Sequence, residues 1–144
     1  MRIDETDRAL IASLQANARQ PVADLARTLG LARTTVQARL DRLERNGTII
    51  GYTARLGATA DAPLRATALV SIEPRSGPAV LARLRNLPGI RVVHTTSGRF
   101  DLLVQIAADT TQELDETLDK IGEARGVNSS ESLIHLSTKL DRRG

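Results

Sequence analysis

The tightest constraint on the fold lies between Val22 and Leu43, where two short amphipathic stretches are separated only by a turn built on Gly30. The first stretch, over about 21–29, carries Val22, Leu25, Ala26 and Leu29 on one side, and Pro21 suits its first turn. The second, over about 32–46, carries Val36, Leu40 and Leu43 at i, i+4 and i+7. Gly30 ends the first helix, where a left-handed residue is easiest, and Gly47 stops the second. Ala26 is small where the two helices must cross closely. Two short helices joined by a three- or four-residue turn containing glycine make a helix-turn-helix.

A further helix precedes this pair. Asp4 is an expected N-cap with acids in the turn after it, and Leu10, Ile11 and Leu14 recur at helical spacing over about 4–17. After Gly47, Ile49-Ile50-Gly51-Tyr52-Thr53-Ala54-Arg55-Leu56 reads as a short strand or hairpin arm. Residues 1–56 are therefore expected to form a winged helix-turn-helix domain of three helices. Residues 57–64, with Gly57, three alanines, Asp61 and Pro63, read as a connector.

Charge shows what the N-terminal domain is suited to meet. The net charge of +3 resides in residues 1–60, with nine Arg against six Asp and Glu, while residues 61–144 balance eleven against eleven. Such a localised basic excess fits a phosphate-facing surface. Tyr52 and Phe100 are the only aromatic residues, so stacking on single-stranded bases has little to work with, and double-stranded DNA is the better partner. In a helix-turn-helix the N-terminal turn of the second helix comes closest to the base edges. Arg33 is suited to guanine and Gln37 to adenine, and Thr34 and Thr35 reach bases, thymine methyls or phosphate. Arg39, Arg42 and Arg45 lie further along and are expected on phosphates. Asp41 and Glu44 are available to pair with neighbouring arginines. Ala32 leaves this helix without a side-chain cap, which costs about 1 kcal/mol.

The second half changes period. Residues 65–73 alternate as a strand that Pro74 ends, and Ser76-Gly77-Pro78 opens a helix carrying Val80, Leu81, Leu84 and Leu87, closed by Pro88-Gly89. Runs at 91–97 and 100–107, separated by Gly98-Arg99, predict a hairpin. A helix capped by Thr110 or Thr111 carries Leu114, Leu118 and Ile121, and a last strand covers about 127–137. The order β-α-β-β-α-β is the split-βαβ, ferredoxin-like arrangement, here over 65–140. The fold class is α+β. An antiparallel sheet with helices on one face leaves a partly apolar second face, which dimerisation would cover.

The chain has no cysteine, so disulfides and thiolate metal sites are excluded, and no apolar run approaches the ~18 residues that span a bilayer. With no signal-peptide core at Met1-Arg2-Ile3-Asp4-Glu5, the expectation is a cytoplasmic protein without a membrane partner, catalytic site, metal or cofactor.

The chain resembles the leucine-responsive regulatory protein/AsnC (Lrp/AsnC, feast/famine) family of bacterial and archaeal transcription regulators. The resemblance rests on Ile3-Asp4-Glu5-Thr6-Asp7-Arg8, Leu25-Ala26-Arg27-Thr28-Leu29-Gly30-Leu31, Arg39-Leu40-Asp41-Arg42-Leu43-Glu44 with Gly47, Ile49-Ile50-Gly51-Tyr52, and Gly98-Arg99-Phe100-Asp101, which is similar to the family's Gly-x-x-Asp effector loop. It implies sequence-specific transcriptional regulation by a homodimer, usually assembled to an octamer, that binds an amino acid or related metabolite between C-terminal domains. By that resemblance Gly98 admits a ligand carboxylate to backbone N–H groups and Asp101 receives an α-amino group. Thr96, Ser97 and Arg99 flank them, and Ser130 and Ser132 are further candidates on the last strand. The chain departs from the family pattern at Ala32, Ala38, Arg99 and Phe100, and Arg99 would suit an anionic ligand or an interface pair. An alternative is a sirohaem decarboxylase-like enzyme on the same two-domain framework, for which His94 and His135 are the only histidines. An interaction module whose helix-turn-helix has lost DNA binding is a third reading.

Overall fold

A computed structural model describes residues 2–143. The chain divides into two compact units, one running to Arg55 together with the residues from Arg142, the other Leu56–Asp141.

The first unit holds α1 (Glu5–Ala16), α2 (Val22–Leu29) and α3 (Arg33–Arg45). Asp4 caps α1 as part of a capping box: its carboxylate accepts from the Asp7 N–H at 2.7 Å, while the Asp7 carboxylate accepts from the Asp4 N–H at 3.3 Å. Gly30 ends α2 at φ 68° and ψ 35°, and the Leu31 N–H reaches back to the Ala26 carbonyl at 2.9 Å. That closure turns the chain within two residues and lets α3 start at Arg33. Leu10, Leu14, Leu25, Ala26, Val36, Leu40 and Leu43 form the buried core, with Ile49 packed against it. Ala32 stands at the N-cap of α3 with no side-chain hydrogen bond.

The expected wing strand is not formed. Residues 49–56 lie outside any ladder, and Ile50 is 96 % exposed. The β-branched run has strand chemistry, but a strand exists only against a partner, and among the described residues no segment pairs with this one. Ile49 is drawn into the helical core instead, with its N–H donating to the Leu43 carbonyl at 3.0 Å.

The second unit runs β1 (Leu64–Ile72), α4 (Gly77–Arg85), β2 (Ile90–Thr95), β3 (Leu102–Ala108), α5 (Thr111–Glu123) and β4 (Val127–Ile134). The strands form one antiparallel sheet in the order β2-β3-β1-β4, the ferredoxin-like arrangement expected from the sequence. Ala66, Ala68, Val70, Val104 and Ile106 face α4 and α5, where Val80, Leu84, Leu114 and Ile121 complete the core. Thr67, Leu69, Leu103, Gln105 and Leu133 alternate onto the face opposite α4 and α5.

Two boundaries differ from the sequence expectation. The hairpin connection spans 96–101 rather than Gly98-Arg99 alone, because the Thr96 N–H bonds the Asp101 carbonyl at 2.9 Å and closes a wider loop. The last strand stops at Ile134, opposite Ala66, and beyond it the His135 N–H makes one more bond to β1, at the Arg65 carbonyl. Among the described residues no helix is long and apolar enough to cross a membrane.

Candidate functional site

The apolar stripe of α3 points inward through Val36, Leu40 and Leu43, so the remaining positions of the helix are presented outward. Arg33, Thr34, Thr35 and Gln37 are all exposed around its N-terminal turns. The Gln37 amide nitrogen donates to the Asp41 carboxylate one turn on, at 2.9 Å, which directs the Gln37 carbonyl oxygen away from that acid. Arg45 is exposed and its Nε donates to the Asp41 carbonyl at 3.3 Å.

Arg39 and Arg42 are placed differently from a free phosphate contact. Arg39 Nη1 lies 2.7 Å from Asp4 Oδ2 and 3.0 Å from Asp7 Oδ1. Arg42 Nη2 lies 2.5 Å from Asp7 Oδ2. Asp7 is wholly buried, whereas the side chains of Arg39 and Arg42 keep 25 % and 36 % of their surface. The two arginines therefore tie the middle of α3 to the first turn of α1. The Arg39 hydrogen bond, with the Asp7 backbone N–H, holds the Asp4 carboxyl down at about 2, and the same two acids raise the Arg39 guanidinium. The sequence signal was present in the Asp4-x-x-Asp7 pair, which reads first as helix capping, and in Arg39 and Arg42 standing three apart on α3. Missing from it was the fact that α1 folds back over that flank.

At the C-terminal end of α3, the Tyr52 hydroxyl donates to the Glu44 carboxylate at 2.9 Å, pinning the following segment to the helix. Burial, and then this carboxylate, raise the Tyr52 phenol.

In the second unit, the loop 96–101 is braced on β1. The Asp101 N–H bonds the Val70 carbonyl at 2.9 Å, and the Asp101 carboxylate accepts from the Ile72 N–H at 2.8 Å, where β1 shifts register after Ser71. Thr96 Oγ1 donates to the Phe100 carbonyl at 2.6 Å. Gly98 sits at φ 109°, a region that a Cβ disfavours. The Arg99 guanidinium stacks 5.2 Å from the Phe100 ring centroid and lies 3.9 Å from the Glu131 carboxylate on β4. Thr96, Ser97, Gly98, Arg99 and Asp101 are thus brought together in one exposed loop. Ser130 and Ser132 pair with Val70 and Ala68 of β1 and so lie on the opposite sheet face from Glu131, the β4 residue that Arg99 approaches. His94 and His135 are exposed strand-end residues, and His135 Nε2 is 2.8 Å from Thr67 Oγ1.

A three-helix helix-turn-helix unit followed by an antiparallel βαββαβ unit with a braced hairpin loop makes a two-domain helix-turn-helix protein. Residues 3–44 match the AsnC-type helix-turn-helix domain and residues 65–144 the Lrp/AsnC ligand binding domain. An HTH-type transcriptional regulator of Pyrococcus abyssi is 33% identical over 147 aligned positions, covering 94% of each chain. The HTH-type transcriptional regulator FL11 of Pyrococcus horikoshii is 31% identical, over 94% of this chain and 91% of that protein. The structure of AsnC from E. coli superposes with a TM-score of 0.91, covering 99% of this chain and 98% of that one at 23% identity. The feast or famine regulatory protein of M. tuberculosis, solved with L-methionine, superposes at 0.85 with 27% identity, over 99% of this chain and 98% of that one. The chain belongs to the Lrp/AsnC family of transcriptional regulators.

Proposed function

We propose that this regulator binds double-stranded DNA in a sequence-dependent way through the N-terminal half of α3, and that its C-terminal domain answers to a small metabolite of the amino-acid class. The observation that carries the DNA reading is the outward presentation of Arg33, Thr34, Thr35 and Gln37 on one end of α3, ahead of a clasp that immobilises the same helix. Arg33 and Gln37 are residue types suited to bidentate contacts with guanine and adenine, and the threonines supply hydroxyl and methyl contacts. Arg45, and Arg33 where it misses a base, meet phosphate. Arg39 and Arg42 act here as anchors of the helix rather than as backbone contacts, because acids already neutralise them.

The effector reading rests on the loop 96–101 and on the L-methionine found with the M. tuberculosis relative. One oxygen of Asp101 is engaged by the Ile72 N–H, leaving carboxylate capacity for a ligand ammonium. Gly98 and its exposed neighbours Ser97 and Arg99 suit a ligand carboxylate, for which Arg99 would exchange its long contact to Glu131. Ser130 and Ser132 would contribute from a second copy, not from the same chain. The open sheet face, with Leu69, Leu103 and Leu133, is the surface through which two copies pair.

Two measurements test this. Selection from random duplexes with the full chain is expected to enrich one two-fold-related sequence, and equal binding to single strands would contradict it. Thermal shift against the twenty amino acids is expected to give a rise with one or a few, since a saturating ligand stabilises by mass action; no shift with any would remove the effector reading.

A further inference from the structure

The core of the second unit is incompletely covered between α4 and β2. Leu81 on α4 and Ile90 and Val93 on β2 pack against the buried cluster yet stay only half-buried, and with Leu84 they floor a groove of about 630 Å³. That volume lies in the range of small-molecule sites. β2 is an edge strand, so no neighbouring strand closes the groove. The two ends of the groove differ. The short turn after Arg85 reverses the chain into β2, which brings Arg85 and Arg91 to one end, while Leu81, Val93 and Thr95 lead away from them. From Arg91 to Thr95 the strand runs about 13 Å. No acid lines the groove. Among the described residues no ion pair holds Arg85 or Arg91, and Asp61, whose charge Arg91 feels through space, is committed to Arg65 at 2.6 Å.

We propose that this groove binds a soluble carboxylate with a slender apolar body, the class of a free medium-chain acyl carboxylate. Arg85 and Arg91 take the carboxylate, and the chain lies along Leu81, Leu84, Ile90 and Val93 toward Thr95. A guanidinium meets a carboxylate through two parallel N–H bonds, and the apolar body completes the cover of the core. Each half is weak alone. Both arginines are exposed, so a bare carboxylate stays hydrated beside them, and the floor gives a neutral chain no fixed direction. An extended peptide fits the groove less well, because β2 shifts register between Ile90 and Val92 and carries Arg91 at that break. Such a break interrupts the row of backbone groups that an added strand needs. The groove ends at Thr95, before the loop 96–101 begins, so it is a second ligand site and does not depend on the effector reading.

Octanoate is the probe, with acetate, octanol and octylamine as comparisons, and binding to the full chain is read by thermal shift and by NMR of the backbone amides. Octanoate is expected to raise the melting temperature saturably at millimolar concentration or below, and acetate and octylamine to leave it unchanged. Octanol is expected to act ~10-fold more weakly or worse, because it forgoes the charged hydrogen bonds. Amide signals are expected to move at Leu81, Leu84, Ile90 and Val93. Arg85→Ala with Arg91→Ala is expected to weaken octanoate ~10-fold or more. Arg85→Gln with Arg91→Gln, which keeps the apolar stems and removes the charge, is expected to do the same and serves if the alanines disturb folding. No shift with octanoate, an equal shift with octylamine, or undiminished binding by the arginine variants would each overturn the proposal. So would amide changes confined to the loop 96–101, which would return octanoate to the effector site. A peptide of alternating glutamate and valine that binds more tightly than octanoate would overturn it as well, by giving the groove to an added strand. An amino acid acting through the loop is expected to shift the arginine variants as it shifts the native chain, so the two readings fail separately.

Discussion

Arg42 places its Nη2 2.5 Å from Oδ2 of the wholly buried Asp7, so α3 is anchored on the first turn of α1. A buried carboxylate is tolerated only when its oxygens are satisfied, and here both accept from guanidinium groups of α3. The residues proposed to read DNA, Arg33 to Gln37, lie before this anchor along the same helix, which fixes their direction without using them.

The anchor is measurable by a double-mutant cycle. Asp7→Ala is expected to destabilise by ~2–4 kcal/mol, because the capping box and both arginine contacts go together. Arg42→Ala is expected to cost less, since Arg39 still reaches Asp7. A coupling energy of about 1–3 kcal/mol between the two positions, from urea denaturation, is the expected result. Additive effects would show that the contact does not hold the helices together.

Acid has a predictable effect at Asp4. Its carboxyl is held near 2 in the folded chain against an ordinary 3.8, chiefly by Arg39. A depressed carboxylate contributes stability above its unfolded value, and that contribution disappears as pH falls through the folded value. The urea midpoint is therefore expected to drop between about pH 4 and pH 2. Asp4→Asn, which retains a capping oxygen but no charge, is expected to flatten that part of the profile. An unchanged slope would contradict the ion pair.

Much of this was legible in the sequence. Leu25, Ala26, Gly30, Val36 and Leu40 fix the helix-turn-helix by spacing, and the alternation at 65–73 with the Pro88-Gly89 and Gly98 breaks fixes the order of the second unit. The expected wing strand is absent because Ile49, Ile50 and Tyr52 carry strand propensity, whereas a ladder depends on a partner that is not found among the described residues. The roles of Arg39 and Arg42 were hidden for a related reason. Their commitment depends on contacts 32 and 35 residues away in sequence, which periodicity within one helix does not encode.

Gly126 shows how closely α5 returns to α4. It sits at φ 97°, and an added Cβ would come within 2.8 Å of Ser76 and 3.1 Å of Val80. Gly126→Ala combines backbone strain with a clash, so a loss of about 2–3 kcal/mol is expected by thermal or urea unfolding. Gly98→Ala has open space around it and bears only the backbone term, about 1–2 kcal/mol. Equal losses at both sites would argue against the close packing at Gly126.

Salt separates anchors from phosphate contacts. Arg45→Ala is expected to reduce the slope of log affinity against log salt by about 1 per subunit engaged. Arg42→Ala is expected to lower stability while leaving that slope nearly unchanged. A slope reduction at Arg42 equal to that at Arg45 would return Arg42 to the phosphate-binding set.

The most direct test of the account is the affinity of Arg33→Ala and Gln37→Ala for a selected duplex and for its single-base variants at fixed salt. Each substitution is expected to erase discrimination at one position per half-site, worth ~1–3 kcal/mol, while other positions keep theirs. A uniform loss on every duplex would contradict base reading by the N-terminal turns of α3.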